Sequence, residues 1–325
     1  MALVHQECIS ASSPDQTAAR PLALHTIQAK TVLNRMRPFR SGSDNETRHF
    51  ASWSINPYRG CQHACAYCYA RRTHIAFDLD GGRAFEQEIF VKENAALVLR
   101  EQLRHRRHAA WEQPIVIGSA VDPYQPVEGK QQITRSILKV LRDYKAPVTI
   151  ITKNSMIVRD IDILSTIAQQ NYCAVFMSIT TMDADLARRL EPATPPPQQR
   201  LRAIQRLVKS GIPAGVMLAP VMPWLTDGTG MLEQVALEAC HHSAQWLTSG
   251  VLRLHPDVKP WFFEWLGNER KDLLPAYERW YVRADPPQLY HDRVHNRVET
   301  IRASLGLANG PKDYVPRHAQ QMALF

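Results

Sequence analysis

Six short apolar runs alternate with five amphipathic helical stretches, which predicts an α/β chain built as a partial (β/α)6 TIM-like barrel with a C-terminal helical cover. Two further observations agree. The runs are apolar nearly throughout, as strands buried on both faces of a parallel sheet are. Reactive and polar residues gather just after the runs, where the βα loops of such a fold carry chemistry. An open doubly wound sheet satisfies the same observations and stands as the alternative.

The elements follow in chain order. Residues 1–50 read as a polar N-terminal extension in which SGSDNETRH (41–49) is a loop. The barrel is expected over 51–256. Its strands are SWSIN (52–56), PIVIGS (114–119), PVTIIT (147–152), CAVFMSI (173–179), PAGVMLA (213–219) and GVLRL (250–254). A minor strand is expected in EQEIFVK (86–92). Helices are expected over 93–109, 131–144, 160–170, 198–210 and 230–247, each with apolar residues three and four apart. Ile133, Ile137, Leu138 and Leu141 form one such face. Residues 257–325 read as the helical cover and tail. There, WFFEWL (261–266) and the Arg, Tyr and His residues of 277–297 suit either a flap sealing the barrel or contacts to bases and phosphates.

Composition excludes several classes. No apolar run approaches the roughly 20 residues of a membrane span, and the first 20 residues lack the pattern of a secretory signal. Six cysteines, three clustered and three scattered, do not form a disulfide scaffold, so the expectation is a reducing cytoplasm. The net charge of +8 is concentrated: residues 20–110 hold 15 Lys/Arg against 8 Asp/Glu. That surplus suits nucleic acid or another acidic partner, and equally a solvated basic surface.

The chemistry centres on CQHACAYC (61–68), with Cys61, Cys65 and Cys68 at C-x3-C-x2-C spacing after the first strand. Three thiolates on one loop can hold three irons of a [4Fe–4S] cluster and leave the fourth open to a chelating small molecule. Structural zinc, with His63 as a fourth ligand, is the alternative. Across the other loops stand Ser119 and Asp122, Lys153, Ser178, Pro220, Met222 and Trp224, then His255 and Asp257.

The triplet, with Tyr67 before its last cysteine, resembles the signature of the radical S-adenosylmethionine enzymes. NPYRGCQHACAYCYAR, DPYQPVE, TKNSMIVRDIDIL and RLEPATPPPQQR resemble the spore photoproduct lyase-like subgroup. The resemblance implies a [4Fe–4S] cluster held by Cys61, Cys65 and Cys68, with S-adenosyl-L-methionine as cofactor. It implies reductive cleavage to a 5′-deoxyadenosyl radical that abstracts hydrogen from substrate, and an electron donor such as flavodoxin or ferredoxin. A nucleic-acid substrate, a peptide and a small metabolite all stay open. Photoproduct lyases place a cysteine hydrogen donor after the second strand, and IVIGSAVDPYQ has none.

Cofactor contacts follow from matched positions. Ser119 and Asp122 are expected near the cofactor ammonium and Lys153 near its carboxylate. Ser178 and Arg189 are expected near ribose and carboxylate, and Tyr67 near the adenine or the cluster. Each has a plainer reading. Asp122 before Pro123 can start a turn, Lys153 can be a solvated loop lysine, and Ser178 can satisfy backbone groups. Arg189 can pair with Glu191 or a neighbouring acid, and Tyr67 can be packing.

Overall fold

The computed structural model describes residues 22–36, 53–104, 111 and 113–315. Cys8 and the SGSDNETRH loop lie outside the described residues. The strands are β1 (Ala23–Ile27), β2 (Leu33–Arg35), β3 (Trp53–Ile55), β4 (Tyr58–Arg59), β5 (Glu88–Lys92), β6 (Ile115–Ile117), β7 (Val148–Thr152), β8 (Cys173–Ser178), β9 (Ala214–Val221) and β10 (Leu247–Val251). The helices are α1 (Arg72–Ile75), α2 (Arg83–Gln87), α3 (Ala95–Arg104), α4 (Glu128–Gln131), α5 (Ile133–Asp143), α6 (Ile161–Gln170), α7 (Ala184–Leu190), α8 (Pro197–Lys209), α9 (Met231–His241), α10 (Lys259–Glu269), α11 (Leu274–Trp280) and α12 (Gln288–Ser304).

The main sheet runs β10-β9-β8-β7-β6-β3-β2, with β3, β6, β7, β8, β9 and β10 mutually parallel and β2 antiparallel to β3. The six parallel strands lie in chain order. A doubly wound sheet reverses its order at a switch point, whereas a barrel winds one way, so this order selects the barrel. Among the described residues β3 and β10 are not paired to each other, and the barrel is partial.

Burial explains which elements the sequence revealed. All six residues of β8 are buried, the signature of a strand covered on both faces. Helix α5 buries Ile133, Ile137, Leu138 and Leu141, the expected face; each such side chain contributes about 1.5–3 kcal/mol. Strands β1 and β2 fall in the polar extension and were not legible. β1 pairs parallel with β5 yet leaves three of five residues exposed, so it carries no apolar pattern. β10 starts at Leu247, not 250. Helix α9 stops at His241 because Ser243 turns left-handed (φ 61) and Ala244 N–H folds back to the Ala239 carbonyl at 2.9 Å.

The C-terminal helices divide in two. α12 buries Tyr290, Val294, Val298 and Ile301 in the main core, packed on α9 and β10, where a sixth barrel helix belongs. α10 and α11 enter a second apolar cluster through Phe262, Leu266 and Tyr277. That cluster also holds Cys65, Ala66, Tyr67, Leu186, Leu190 and Met222, so these helices seal the cysteine loop. Among the described residues no helix is long and apolar enough to cross a membrane.

Candidate active site

The cysteine loop leaves β3 and is bent where the chain needs positive φ, at Gly60 (φ 80) and Ala64 (φ 55). A Cβ on Gly60 would lie 2.6 Å from the Glu88 carbonyl, so the strand before the loop passes too close for any other residue. Cys61 and Cys65 are buried and Cys68 is half-buried, and all three are free thiols. Burial pushes the Cys65 and Cys68 thiols up. Cys61 N–H donates to the Phe85 carbonyl at 2.9 Å, and Ala66 N–H to the Leu190 carbonyl at 2.9 Å. The fully buried Arg71 donates to the carbonyls of Gly82 (2.8 Å) and Cys65 (3.0 Å), pairs with Glu86, and lies 4.5 Å over the Trp261 ring.

A cavity of about 510 Å³ opens above this loop at the C-terminal ends of the strands. Cys61, Cys65 and Cys68 line it together with Tyr67, Ser119, Asp122, Lys153 and Ser178. Eight of the nine expected site residues therefore share one space. The ninth does not: Arg189 is half-exposed on α7 and pairs with Glu269 at 3.7 Å, and its carbonyl accepts from Trp265 Nε1. The neighbouring-acid reading describes Arg189 better than a cavity contact.

Asp122 lines the cavity with its carboxylate already engaged. Oδ1 accepts from Tyr124 N–H (2.9 Å) and the Thr152 hydroxyl (2.7 Å); Oδ2 accepts from Lys153 N–H (2.7 Å) and faces His63 Nδ1 at 3.3 Å. Burial alone would raise its pKa, but His63 and these donors bring it down to about 2. Asp122 thus ties β6, β7 and the cysteine loop together. Ser119 Oγ accepts from Asn56 Nδ2 at 3.0 Å. Burial opposes the Lys153 charge, yet Cys65 and Glu191 hold its pKa above the usual lysine value, with Nζ 5.6 Å from the Tyr67 ring centroid.

Below this wall is an ion pair the sequence did not reveal. Arg200, fully buried on α8, pairs with the equally buried Glu191 at 2.5 Å, and donates to the carbonyls of Pro195 (2.7 Å) and Ser178 (3.0 Å). Glu191 in turn accepts from the Tyr67 hydroxyl. Burial would raise the Glu191 carboxyl, but Arg200 and Lys153 lower it. His255, expected at the rim, lines the cavity too, as do Tyr69 and Arg253, which had not been singled out. Arg253 Nε holds Asp285 at 2.8 Å. The basic excess of the first third is partly consumed in structure, since Arg71, Arg72 and Arg100 each pair with a carboxylate.

The donor set suits a thiolate-held group. Among the described residues, no three His, Cys, Asp or Glu side chains are grouped as they would be around a single ion. His63 bridges Asp122 (3.3 Å) and the Cys61 thiol, and lies 3.3 Å from Asn154 Nδ2.

Comparison with known proteins agrees with this site. The Radical SAM superfamily model matches residues 55–233. An uncharacterised protein of Mycobacterium tuberculosis is 32% identical over 303 residues, covering 91% of this chain and 84% of its own. An uncharacterised protein of Methanocaldococcus jannaschii is 30% identical over 178 residues, covering 54% of this chain and 63% of its own. Among solved structures, spore photoproduct lyase with bound AdoMet and dinucleoside spore photoproduct superposes with a TM-score of 0.61 at 15% identity, covering 87% of this chain and 79% of that one. A second form, complexed with dinucleoside spore photoproduct, gives 0.61 at 16% over the same shares. With its family model matched over more than half its length on a partial barrel of the same fold, the chain belongs to the radical SAM superfamily and is a radical SAM enzyme.

Proposed function

We propose that Cys61, Cys65 and Cys68 hold a [4Fe–4S] cluster and that the cavity above them takes S-adenosyl-L-methionine. When bound, the pair supplies a 5′-deoxyadenosyl radical that abstracts hydrogen from a substrate. The observation that carries this reading is the convergence of three free thiols and the Lys153 ammonium on one cavity at the strand ends. Lys153 suits the cofactor carboxylate through a charge-assisted hydrogen bond. Asp122 acts indirectly, fixing Lys153 through its backbone N–H and the cysteine loop through His63. Ser119 and Ser178 offer hydroxyls on the same wall. The α10 and α11 cover limits water around the loop. Free thiols and an oxygen-sensitive cluster suit the reducing cytoplasm, with flavodoxin or ferredoxin as electron donor.

The substrate we favour is a nucleic acid or another polyanion. Lys153 and His255 line the cavity beside Arg253, which pairs with Asp285, while Asp122 is engaged by its neighbours. The superposed photoproduct lyase is complexed with a dinucleoside, which supports the same class. Among the described residues the cavity is lined by no cysteine beyond the triplet, so a lyase-type cysteine hydrogen donor is not part of the reading. Anaerobic reconstitution tests the chemistry: brown protein should form 5′-deoxyadenosine from S-adenosylmethionine and reductant, and Cys65→Ala should lose both colour and product. Colourless zinc-loaded protein overturns it. Binding to DNA and RNA across a salt series tests the substrate class. A steep slope supports it, and negligible binding at low salt shifts the reading to a peptide or small metabolite.

A further inference from the structure

The loop after β6 and the cysteine loop are joined residue by residue. Gln125, fully buried, accepts from Gln62 N–H through Oε1 at 2.9 Å and donates from Nε2 to the Gly60 carbonyl at 3.0 Å. Gln62 returns the contact, its Oε1 accepting from Val127 N–H at 2.6 Å. On one side of this pair Asp122 faces His63 at 3.3 Å; on the other, the Tyr58 hydroxyl donates to Glu128. Glu128 is itself buried and neutralised by Arg159 at 2.7 Å. The segment 122–128 thus holds Tyr58, Gly60, Gln62 and His63. Pro123 and Pro126 stiffen it by fixing φ.

Cys61 stands at the centre of these contacts. The carbonyl before it and the N–H after it are both bound by one carboxamide, and its own N–H is bound by Phe85. Only a group that donates and accepts at once can span both partners, which is what a Gln side chain offers and Glu, Lys or Leu does not. Cys65 is anchored separately, by Arg71. The first thiol and the other two therefore rest on different supports.

We infer that Gln125 is a positioning residue for Cys61: it fixes the place of the first cluster thiolate relative to Cys65 and Cys68. The inference rests on the cluster reading above, and its test separates the two. Hydrogen exchange is followed in the full chain, kept anaerobic, before and after iron loading, in the parent, Gln125→Leu and Gln62→Ala. Loaded samples are also scored for iron release to a chelator and for the electron paramagnetic resonance of the reduced cluster. In Q125L the Gln62 amide should exchange about tenfold faster with or without iron, while the amides of β7 and β8 stay protected. Iron should leave several-fold faster, and the resonance should broaden. Gln62→Ala, at a half-exposed position, should free the Val127 amide and speed iron release less. If Q125L does not fold, Q62A alone decides. Unchanged exchange at the probed amides and unchanged iron release overturn the inference. A parent protein that takes up no iron overturns the cluster reading instead, and the exchange rates still judge the clamp.

Discussion

Replacing Arg200 by Met should reveal how much the wall behind the cavity depends on one buried ion pair. Arg200 and Glu191 lie 2.5 Å apart and neither reaches solvent. The guanidinium also satisfies the carbonyls of Pro195 and Ser178 and the Thr194 hydroxyl. Arg200→Met removes all four contacts and leaves Glu191 charged in the interior, supported by the Tyr67 hydroxyl, the Lys153 charge and long contacts from the Thr180 and Thr194 hydroxyls (3.4 Å each). Breaking a buried pair from one side costs about 3–5 kcal/mol. At about 2 °C per kcal/mol for a domain of this size, Tm should fall by roughly 6–10 °C. Thermal and urea melts followed by circular dichroism measure both. Glu191→Gln in the same chain should recover part of the loss, with a coupling of about 1.5 kcal/mol or more. A single-variant cost under about 1 kcal/mol, or strict additivity, would refute the buried-pair argument.

Lys153→Met should leave iron content unchanged and weaken S-adenosylmethionine binding about 10- to 100-fold, the loss of one charge-assisted contact, as read by equilibrium dialysis. Arg189→Ala should change neither cofactor cleavage nor stability by more than about 0.5 kcal/mol, because its partner Glu269 is a surface pair. Gly60→Ala should cost at least about 2 kcal/mol, since φ is +80° and the new Cβ meets the Glu88 carbonyl. Arg297 holds the Glu233 carboxyl below the usual range. A lowered folded pKa stabilises above the unfolded pKa and loses that stability as pH falls through the folded value. Glu233→Gln should therefore flatten the acid limb as pH falls below the ordinary Glu value of about 4.3. The effect should stay under about 1 kcal/mol because the pair is partly exposed.

The barrel was legible because its strands are continuous apolar runs and its helices carry periods of three and four. The cysteine loop was legible because its ligands lie within eight residues. β1, β2 and β4 were hidden, being short and partly exposed. The choice between two arginines was hidden as well. Arg189 was expected at the cofactor and Arg200 was not singled out, and only tertiary packing turns Arg200 inward onto Glu191 while Arg189 faces Glu269. Asp122 was expected to meet a ligand. Its protein partners His63 and Thr152 lie 59 and 30 residues away in the chain, so no local pattern announced them.

The most direct test of the central claim is Mössbauer spectroscopy of the anaerobically loaded chain with S-adenosylmethionine added. The spectrum should show a four-iron cluster in which one iron differs from the other three, and in which that iron alone changes when the cofactor is added. Loss of Cys61, Cys65 or Cys68 should remove the whole signal. A single iron or zinc per chain, or a cluster whose irons ignore the cofactor, would contradict it.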